Sequence, residues 1–457
     1  MSDPPSGGRR DSVILQVPDK EVWRLNVRRA LVLMKGTRVA AAIDGARVVE
    51  RVRADREFHA YATGWNGAVE FGVGNDSWVA ALTDGRLEAF TRGQNPDADI
   101  KLTASEHVWE QLWAAQPGPG FTGLDVAATQ GLRIEGDPVT SLGPYFPALQ
   151  RLARLLGNEA GADQQTVSLS QRDASTVRAR YVYITVDGVE YRVFVQEAGH
   201  GIPVVLQHSG GADSRQWRHV LADTHLQSQF RLIAIDLPFH GKSLPPRLDR
   251  WWKREYQVTG SDLTKRLLAT VAALGVDQPV YVGWGKLGLE LATHHGDKFR
   301  AIVALNAMLH HDAVRVYDSA LFHHPQISES FFGSLEYGKT SSHGPEASRR
   351  EIHWIVASNG LGVYKGDYEY DTADEELRHS ISSIDTSTTP LWLLAGEFDP
   401  ASLVADGGTA ALAALIPDGR YRLLEGVGSV GDNPVEFGRH LREVLEEIAA
   451  ESRTTDV

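Results

Sequence analysis

The sequence predicts a two-part chain: a C-terminal α/β fold with a mainly parallel sheet and a cap insertion, preceded by a smaller α+β unit. Three observations carry this. The 457 residues exceed one typical domain, and 42% hydrophobic content supplies two cores. From about Val177 strand-like apolar runs alternate with helical stretches, the signature of a parallel sheet. Before Leu156 the strands instead come as neighbouring alternating pairs flanked by helices. The resulting division is a flexible tail over 1–19, an α+β domain over 20–157, a linker over 158–176, the α/β domain over 177–450 with its cap over about 307–385, and a tail over 451–457.

In the N-terminal part, Trp23, Leu25, Val27, Leu31 and Val32 form an amphipathic start. Strands follow at 69–73 and 77–82, with a turn at Asp84-Gly85 and a further strand over 98–103. Ser105 caps a helix carrying Val108, Trp109, Leu112 and Trp113. Gly131 to Asp137 then lead into a last amphipathic helix ending near Leu156. This order, with "PDADIKLTASEHVWEQL" and "GLRIEGDP", resembles the sterol-carrier-protein family over nearly the whole N-terminal third. The resemblance implies an apolar tunnel for acyl chains or sterols. Read from the residues alone, Trp78, Trp109 and Trp113 serve equally well to fill a core.

The linker has little apolar periodicity. Beyond it, Tyr181 to Val186 and Tyr191 to Gln196 form a hairpin through Asp187-Gly188. Strands are expected at 203–207, 231–235, 279–282, 301–305, 390–394 and 421–424. The cap is rich in aromatic residues and histidines, and it interrupts the alternation where open α/β sheets bind ligands.

Four landmarks follow the strands in order. His208-Ser209-Gly210-Gly211 offers Gly210 or Gly211 as a backbone N–H donor for a developing oxyanion. Asp236 to Ser243 has the form D-x-P-G-x-G-x-S with Phe239 in place of a glycine. Tyr281 to Gly288 runs from strand through a sharp turn into helix. Gly396-Glu397-Phe398-Asp399-Pro400 follows the next-to-last strand. Together these resemble the α/β-hydrolase superfamily across nearly all of the C-terminal domain. The resemblance places a serine nucleophile at the strand-to-helix elbow, where the chain has Gly285, and makes Asp399 the triad acid. It places the histidine in a G-x-G-H run, where the chain has Ser429 in a shortened loop before Asn433-Pro434. The next histidine, His440, is expected on the terminal helix facing solvent. An aspartate without a histidine to orient cannot act as a triad member.

Candidates to replace the lost chemistry are few. Lys286 heads the helix after Gly285, where it serves as a base or Schiff-base amine, or else snorkels to solvent or pairs with a carboxylate. His240 is the histidine expected to face the pocket, and His208 is expected to pack structurally. Gly210, Gly211, Lys286 and Trp284 form the expected oxyanion or ligand-binding side, with Asp399, Lys286 and His240 as the catalytic set. The cap residues His310, His311, Asp312, His323, His324, His343 and His353 have no metal-ligand spacing, so no metal and no cofactor is expected. Phe331, Phe332, Tyr337, Tyr364 and Tyr368 either pack the cap or shape an apolar pocket.

A net charge of −13 argues against nucleic acid or an anionic membrane as partner, since basic residues look scattered. The absence of cysteine excludes disulfides and thiol chemistry and suits a cytoplasmic location. Neither a signal-like start nor an apolar run long enough to span a bilayer is seen. Two functions stay open. One is an enzyme on a bulky apolar acyl, ester or other carbonyl substrate, using chemistry other than a serine triad. The other is a non-catalytic pseudo-hydrolase that binds a lipid or small apolar ligand, or scaffolds a partner protein.

Overall fold

The computed structural model describes residues 43–157, 174–309, 319–373 and 381–455. The expected amphipathic start at 23–32, most of the linker and the His310-His311-Asp312 run lie outside these. The chain divides into two compact units, one of 1–114 with 127–158 and one of 115–126 with 159–457.

The first unit is a five-stranded sheet of β1 (Gly67–Val73), β2 (Asp76–Thr83), β3 (Arg86–Arg92), β4 (Ile100–Ala104) and β5 (Arg133–Gly136) in the order β3-β2-β1-β4-β5. Only β1 and β4 pair in parallel. Asp84 and Gly85 both take positive φ, 49° and 74°, as a two-residue hairpin turn demands. Ser105 caps the helix Glu106–Leu112 by accepting from the Val108 N–H. That helix carries Trp109, fully buried, whose indole N–H donates to Gly72 O at 2.8 Å. Trp113 donates likewise to Ala153 O on the helix Gly143–Leu156 at 2.8 Å, and the two indoles stack 5.0 Å apart.

The second unit is built on an eight-stranded sheet. Its strands are β6 (Arg178–Val186), β7 (Val189–Ala198), β8 (Ile202–Gln207), β9 (Phe230–Ile235), β10 (Val280–Trp284), β11 (Ala301–Leu305), β12 (Leu391–Gly396) and β13 (Arg420–Leu424). Their order is β13-β12-β11-β10-β8-β9-β7-β6. The six strands β8 to β13 run parallel, and the β6–β7 hairpin adds antiparallel to β9. Every residue of β10, β11 and β12 is buried, which explains their unbroken apolar sequence. The helices Gly260–Ala273 and Gly285–His295 cover one face with Leu263, Leu267, Leu287 and Leu291. Trp217, Phe437, Leu441 and Val444 cover the other. His440, expected at the surface, is 5% exposed: it shares the inward stripe of the helix Pro434–Thr455 with Phe437 and Leu441.

Strand order reverses at β8, with β9 on one side and β10 on the other, so a crevice opens beyond their C-terminal ends. Cap helices Glu329–Gly338, Glu346–Ala357 and Val363–Thr372 belong to this unit, as does the segment 115–126 from within the N-terminal sequence. Thr122 Oγ1 donates to Gly338 O at 2.6 Å and Ser342 Oγ to Pro117 O at 2.7 Å, anchoring that segment on cap residues. Among the described residues no helix is long and apolar enough to cross a membrane.

Candidate functional site

A cavity of about 180 Å³ lies beyond the ends of β8, β10, β11 and β12. Its wall includes Gly210, Trp284, Asp399 and Ser429 from the expected set. It also includes Asn306, Glu336, Lys339, Asp367 and Asp371, none of which any motif marked. Gly211, Gly285, Lys286 and His240 are not part of this lining.

β10 passes directly into the helix Gly285–His295, so the strand-to-helix junction falls at Gly285. The strained backbone of a nucleophile elbow is absent there: Gly285 opens the helix in helical geometry and is not among the positive-φ residues. A Cβ on Gly285 would stand 2.5 Å from Leu305 O and 2.6 Å from both N and Cα of Ala307. These are backbone atoms, so no rotamer change relieves the overlap. Gly283 is equally tight, its Cβ position 2.6 Å from Gln207 O. Both glycines let β10 approach its neighbours, and Gly283 and Trp284 line the cavity. The Trp284 N–H donates to Gln207 Oε1 at 3.1 Å and its indole N–H to Asp371 Oδ1 at 2.7 Å.

Lys286 is 9% exposed, and its ammonium donates to the carbonyls of Tyr370, Asp371 and Ala373. These end the cap helix Val363–Thr372, where unpaired carbonyls and the negative helix end favour a cation. Its Nζ also lies 4.7 Å over the Tyr370 ring. The lysine thus ties the cap helix down onto the Gly285–His295 helix.

The loop after β8 already holds an anion. Gly211 N–H donates to Asp367 Oδ2 at 2.7 Å, and His240 Nε2 donates to the same oxygen at 2.7 Å. Tyr256 OH donates to Asp367 Oδ1 at 3.2 Å. Asp367 is 1% exposed and His240 fully buried. Both ring nitrogens of His240 face acceptors, Asp367 and Pro238 O, which assigns it as the imidazolium. Burial opposes that charge, but the Asp367 carboxylate outweighs it and holds the pKa above the ordinary histidine value. His208 is the opposite case. Its Nε2 accepts from Leu237 N–H and its Nδ1 donates to Ser209 O, so it is neutral. Burial, with the neighbouring His240 charge, pushes it down to about 4. The cap also closes over the loop, since a Cβ on Gly211 would run into the Tyr364 ring and one on Gly210 would meet Trp284 at 2.9 Å.

In the next loop Phe239 takes φ 80°, the left-handed backbone for which a glycine is the unstrained choice. Its ring packs on Tyr256, centroids 4.9 Å apart. The loop is held by Asp236, which accepts from Ser214 N–H at 2.8 Å and Lys242 N–H at 2.7 Å.

Asp399 lies at the cavity wall as expected of an acid beyond β12. Ala401 N–H donates to its Oδ1 at 2.9 Å, and Asn306 Nδ2 donates to its Oδ2 at 2.9 Å. Asn306 is the first residue after β11, in left-handed backbone with φ 52°, and its Oδ1 accepts from Gly396 N–H. Among the described residues no histidine lines the cavity. In the loop holding Ser429, Asp432 accepts from the N–H groups of Ser341, Gly428, Ser429 and Asn433. Glu336 pairs with Lys339 at 2.6 Å and accepts from Tyr364 OH at 2.6 Å. His343 rests edge-on against Phe398, centroids 5.3 Å apart, and among the described residues no group of His, Asp and Glu is placed to hold a metal.

Burial pushes the Asp399 carboxyl up to about 7 from 3.8. The protonated form is therefore favoured in the folded state, so its stabilising contribution is full below about pH 4 and is lost as pH rises through about 7. Buried Asp125, to about 7, and Asp432, to about 6, act in the same sense. His208 opposes them, losing stability as pH falls from 6.5 through about 4. Glu329, raised to about 7 by burial, adds to the three carboxyls, and His295 and His440, lowered chiefly by burial, side with His208. The four large carboxyl shifts prevail, so the melting temperature is expected to fall between about pH 5 and about pH 8. Asp399→Asn, which cannot ionise, is expected to melt progressively higher relative to wild type over that interval. A constant offset between the two proteins by calorimetry would refute this assignment.

Residues 202–336 match the family model described as the alpha/beta hydrolase fold. The search of curated proteins gives no match. Among solved structures, a thermophilic esterase from Thermogutta terrifontis is 16% identical, covering 59% of this chain and 99% of its own, with a TM-score of 0.48. The enol-lactonase from Burkholderia xenovorans LB400 is 18% identical with the same coverage and TM-score. A bromoperoxidase from Bacillus anthracis is 18% identical over 59% of this chain and 100% of its own, with a TM-score of 0.47. The matched segment runs from β8 into the cap, so the likeness to the alpha/beta hydrolase fold covers this stretch of the second unit.

Proposed function

We propose that the C-terminal unit is a non-catalytic member of the α/β-hydrolase superfamily that binds a small ligand in the cavity beneath its cap. The observation that carries this reading is the backbone packed against Gly285, which leaves no space for a nucleophile side chain at the elbow. The Asp367 carboxylate on Gly211 N–H supports it, because an oxyanion would have to displace a buried ion-paired group. At about 180 Å³ the cavity falls below the roughly 300–1,000 Å³ of drug-sized sites. That size favours a small ligand over the bulky acyl substrate expected from the sequence.

A second reading keeps an enzyme, with Asp399 as a proton-transfer group. Its support is a carboxyl held near neutrality at the wall of a cavity. The lipid-carrying role suggested for the N-terminal unit stays a companion proposal. Against it weigh the indoles of Trp109 and Trp113, whose N–H groups are spent on backbone carbonyls in the manner of core residues.

Fluorophosphonate labelling and aryl-ester turnover by the full chain test the main reading, run beside titration with a fluorescent fatty-acyl probe. The expected result is no labelled residue and turnover equal to a heat-killed control. Labelling at Ser209 or Ser429 would show that the nucleophile had moved, and a pH-dependent turnover abolished by Asp399→Asn would establish the second reading instead. Saturable acyl binding would restore the lipid role.

A further inference from the structure

The segment between β9 and the helix Gly260–Ala273 carries a surface that the cavity does not use. Leu244 is 59% exposed, Leu248 97%, Trp251 40% and Trp252 61%, four of the twelve large hydrophobic residues exposed among the described residues. They fall within nine positions, while the other eight are spread from Tyr181 to Val435. Arg247, Arg250, Lys253 and Arg254 are interleaved with them, all exposed. Trp251 to Lys253 form a single 3₁₀ turn that sets the two indoles perpendicular, centroids 5.8 Å apart. Of the nearby acids, Asp249 pairs with Arg254, and Glu255 lies 3.6 Å from Lys365.

We propose that residues 244–254 dock the protein on an anionic phospholipid surface. Exposed leucine and tryptophan side chains lose contact with water on entering the boundary between headgroups and acyl chains. Indoles suit that depth, having an apolar body and one N–H to leave among the headgroups. The interleaved arginines and lysine snorkel outward to lipid phosphates. The chain's net charge of −13 does not oppose this, because charges farther than roughly 8 Å from the surface are screened at physiological salt, and the local balance is basic. Along the whole chain the basic residues look scattered, but four of them gather here around exposed leucines and indoles. A nucleic-acid strand would use the arginines and indoles but would leave Leu244 and Leu248 without a role. His240 and Tyr256, on either side of this segment, bond Asp367, but no residue of 244–254 lines the cavity, so either proposal can fail alone.

The test is co-sedimentation of the full chain with vesicles of phosphatidylcholine alone and of equal parts phosphatidylcholine and phosphatidylglycerol. Binding is expected only to the anionic vesicles, weakening with salt, with a blue shift of tryptophan emission. Arg250→Glu with Lys253→Glu is expected to weaken binding more than about tenfold, given about fivefold per basic residue near such a surface. Trp251→Ala with Trp252→Ala is expected to remove the blue shift and most of the binding, while both variants keep the wild-type melting temperature. The proposal is overturned by no binding, by equal binding to both vesicles, or by variants that bind as wild type does. It is equally overturned if a single-stranded oligonucleotide displaces the vesicles, or if the tryptophan variant dissolves a dimer of the free protein.

Discussion

Gly285→Ser, the substitution that would rebuild the family's nucleophile, is expected to destabilise the protein by about 3 kcal/mol or more and to gain no esterase activity. The cost follows from what surrounds the position. A Cβ there meets Leu305 O at 2.5 Å and two backbone atoms of Ala307 at 2.6 Å, so β11 or the Gly285–His295 helix must move. Both are buried in the central core, and neither can shift without disturbing the contacts of Leu287 and Ala304. Activity is not expected because the hydroxyl would enter helical backbone facing β11, not a strained turn facing the cavity. Among the described residues no histidine lines the cavity to take its proton. Denaturant unfolding and an aryl-ester assay check both parts. A variant as stable as wild type would mean that the elbow is looser than these contacts allow, and turnover above background would revive the enzymatic reading.

How far the sequence revealed this arrangement depended on the range of the interactions. The central strands of the second unit were legible because each is a local apolar run bounded by turn residues. β11, for example, spans Ala301–Leu305 as expected. Gly283 and Gly288 were legible too, since a glycine in a strand or early helix marks close backbone approach, here to Gln207 O and Ala304. Gly285 was noticed for what it lacks, whereas its structural meaning is what it makes room for. The cap groups were not legible. Asp367 meets Gly211 across 156 residues of sequence, and nothing in "GLGVYKGDYEYD" distinguishes it from Asp371 or Glu369. Asn306 left one signal, an asparagine directly after a buried strand, where left-handed backbone is tolerated. The assignment of 115–126 to the second unit had none, because its ties are hydrogen bonds to cap residues more than two hundred positions away.

Asp367→Ala is expected to cost about 3–5 kcal/mol, the range for removing one partner of a buried ion pair. The substitution leaves the His240 imidazolium without its counter-ion at a fully buried position. It also strips the acceptor from Gly211 N–H and from Tyr256 OH. Asp367→Asn keeps the volume and removes the charge, so it separates packing from electrostatics. It is expected to fall between wild type and alanine. Combined with His240→Gln it should cost less than the two single changes summed, because the second change removes the stranded charge left by the first. The pair has its own pH signature. The His240 pKa in the folded state is raised above 6.5, so its contribution is full below about 6.5 and is lost as pH rises through the raised value. The penalty of Asp367→Asn should therefore be greatest near pH 6 and shrink on the alkaline side. Denaturant midpoints of the four proteins across that range measure it. An alanine variant costing under about 1 kcal/mol, or strictly additive single changes, would mean that Asp367 does not hold a charged histidine and that Gly211 N–H is free to receive an oxyanion.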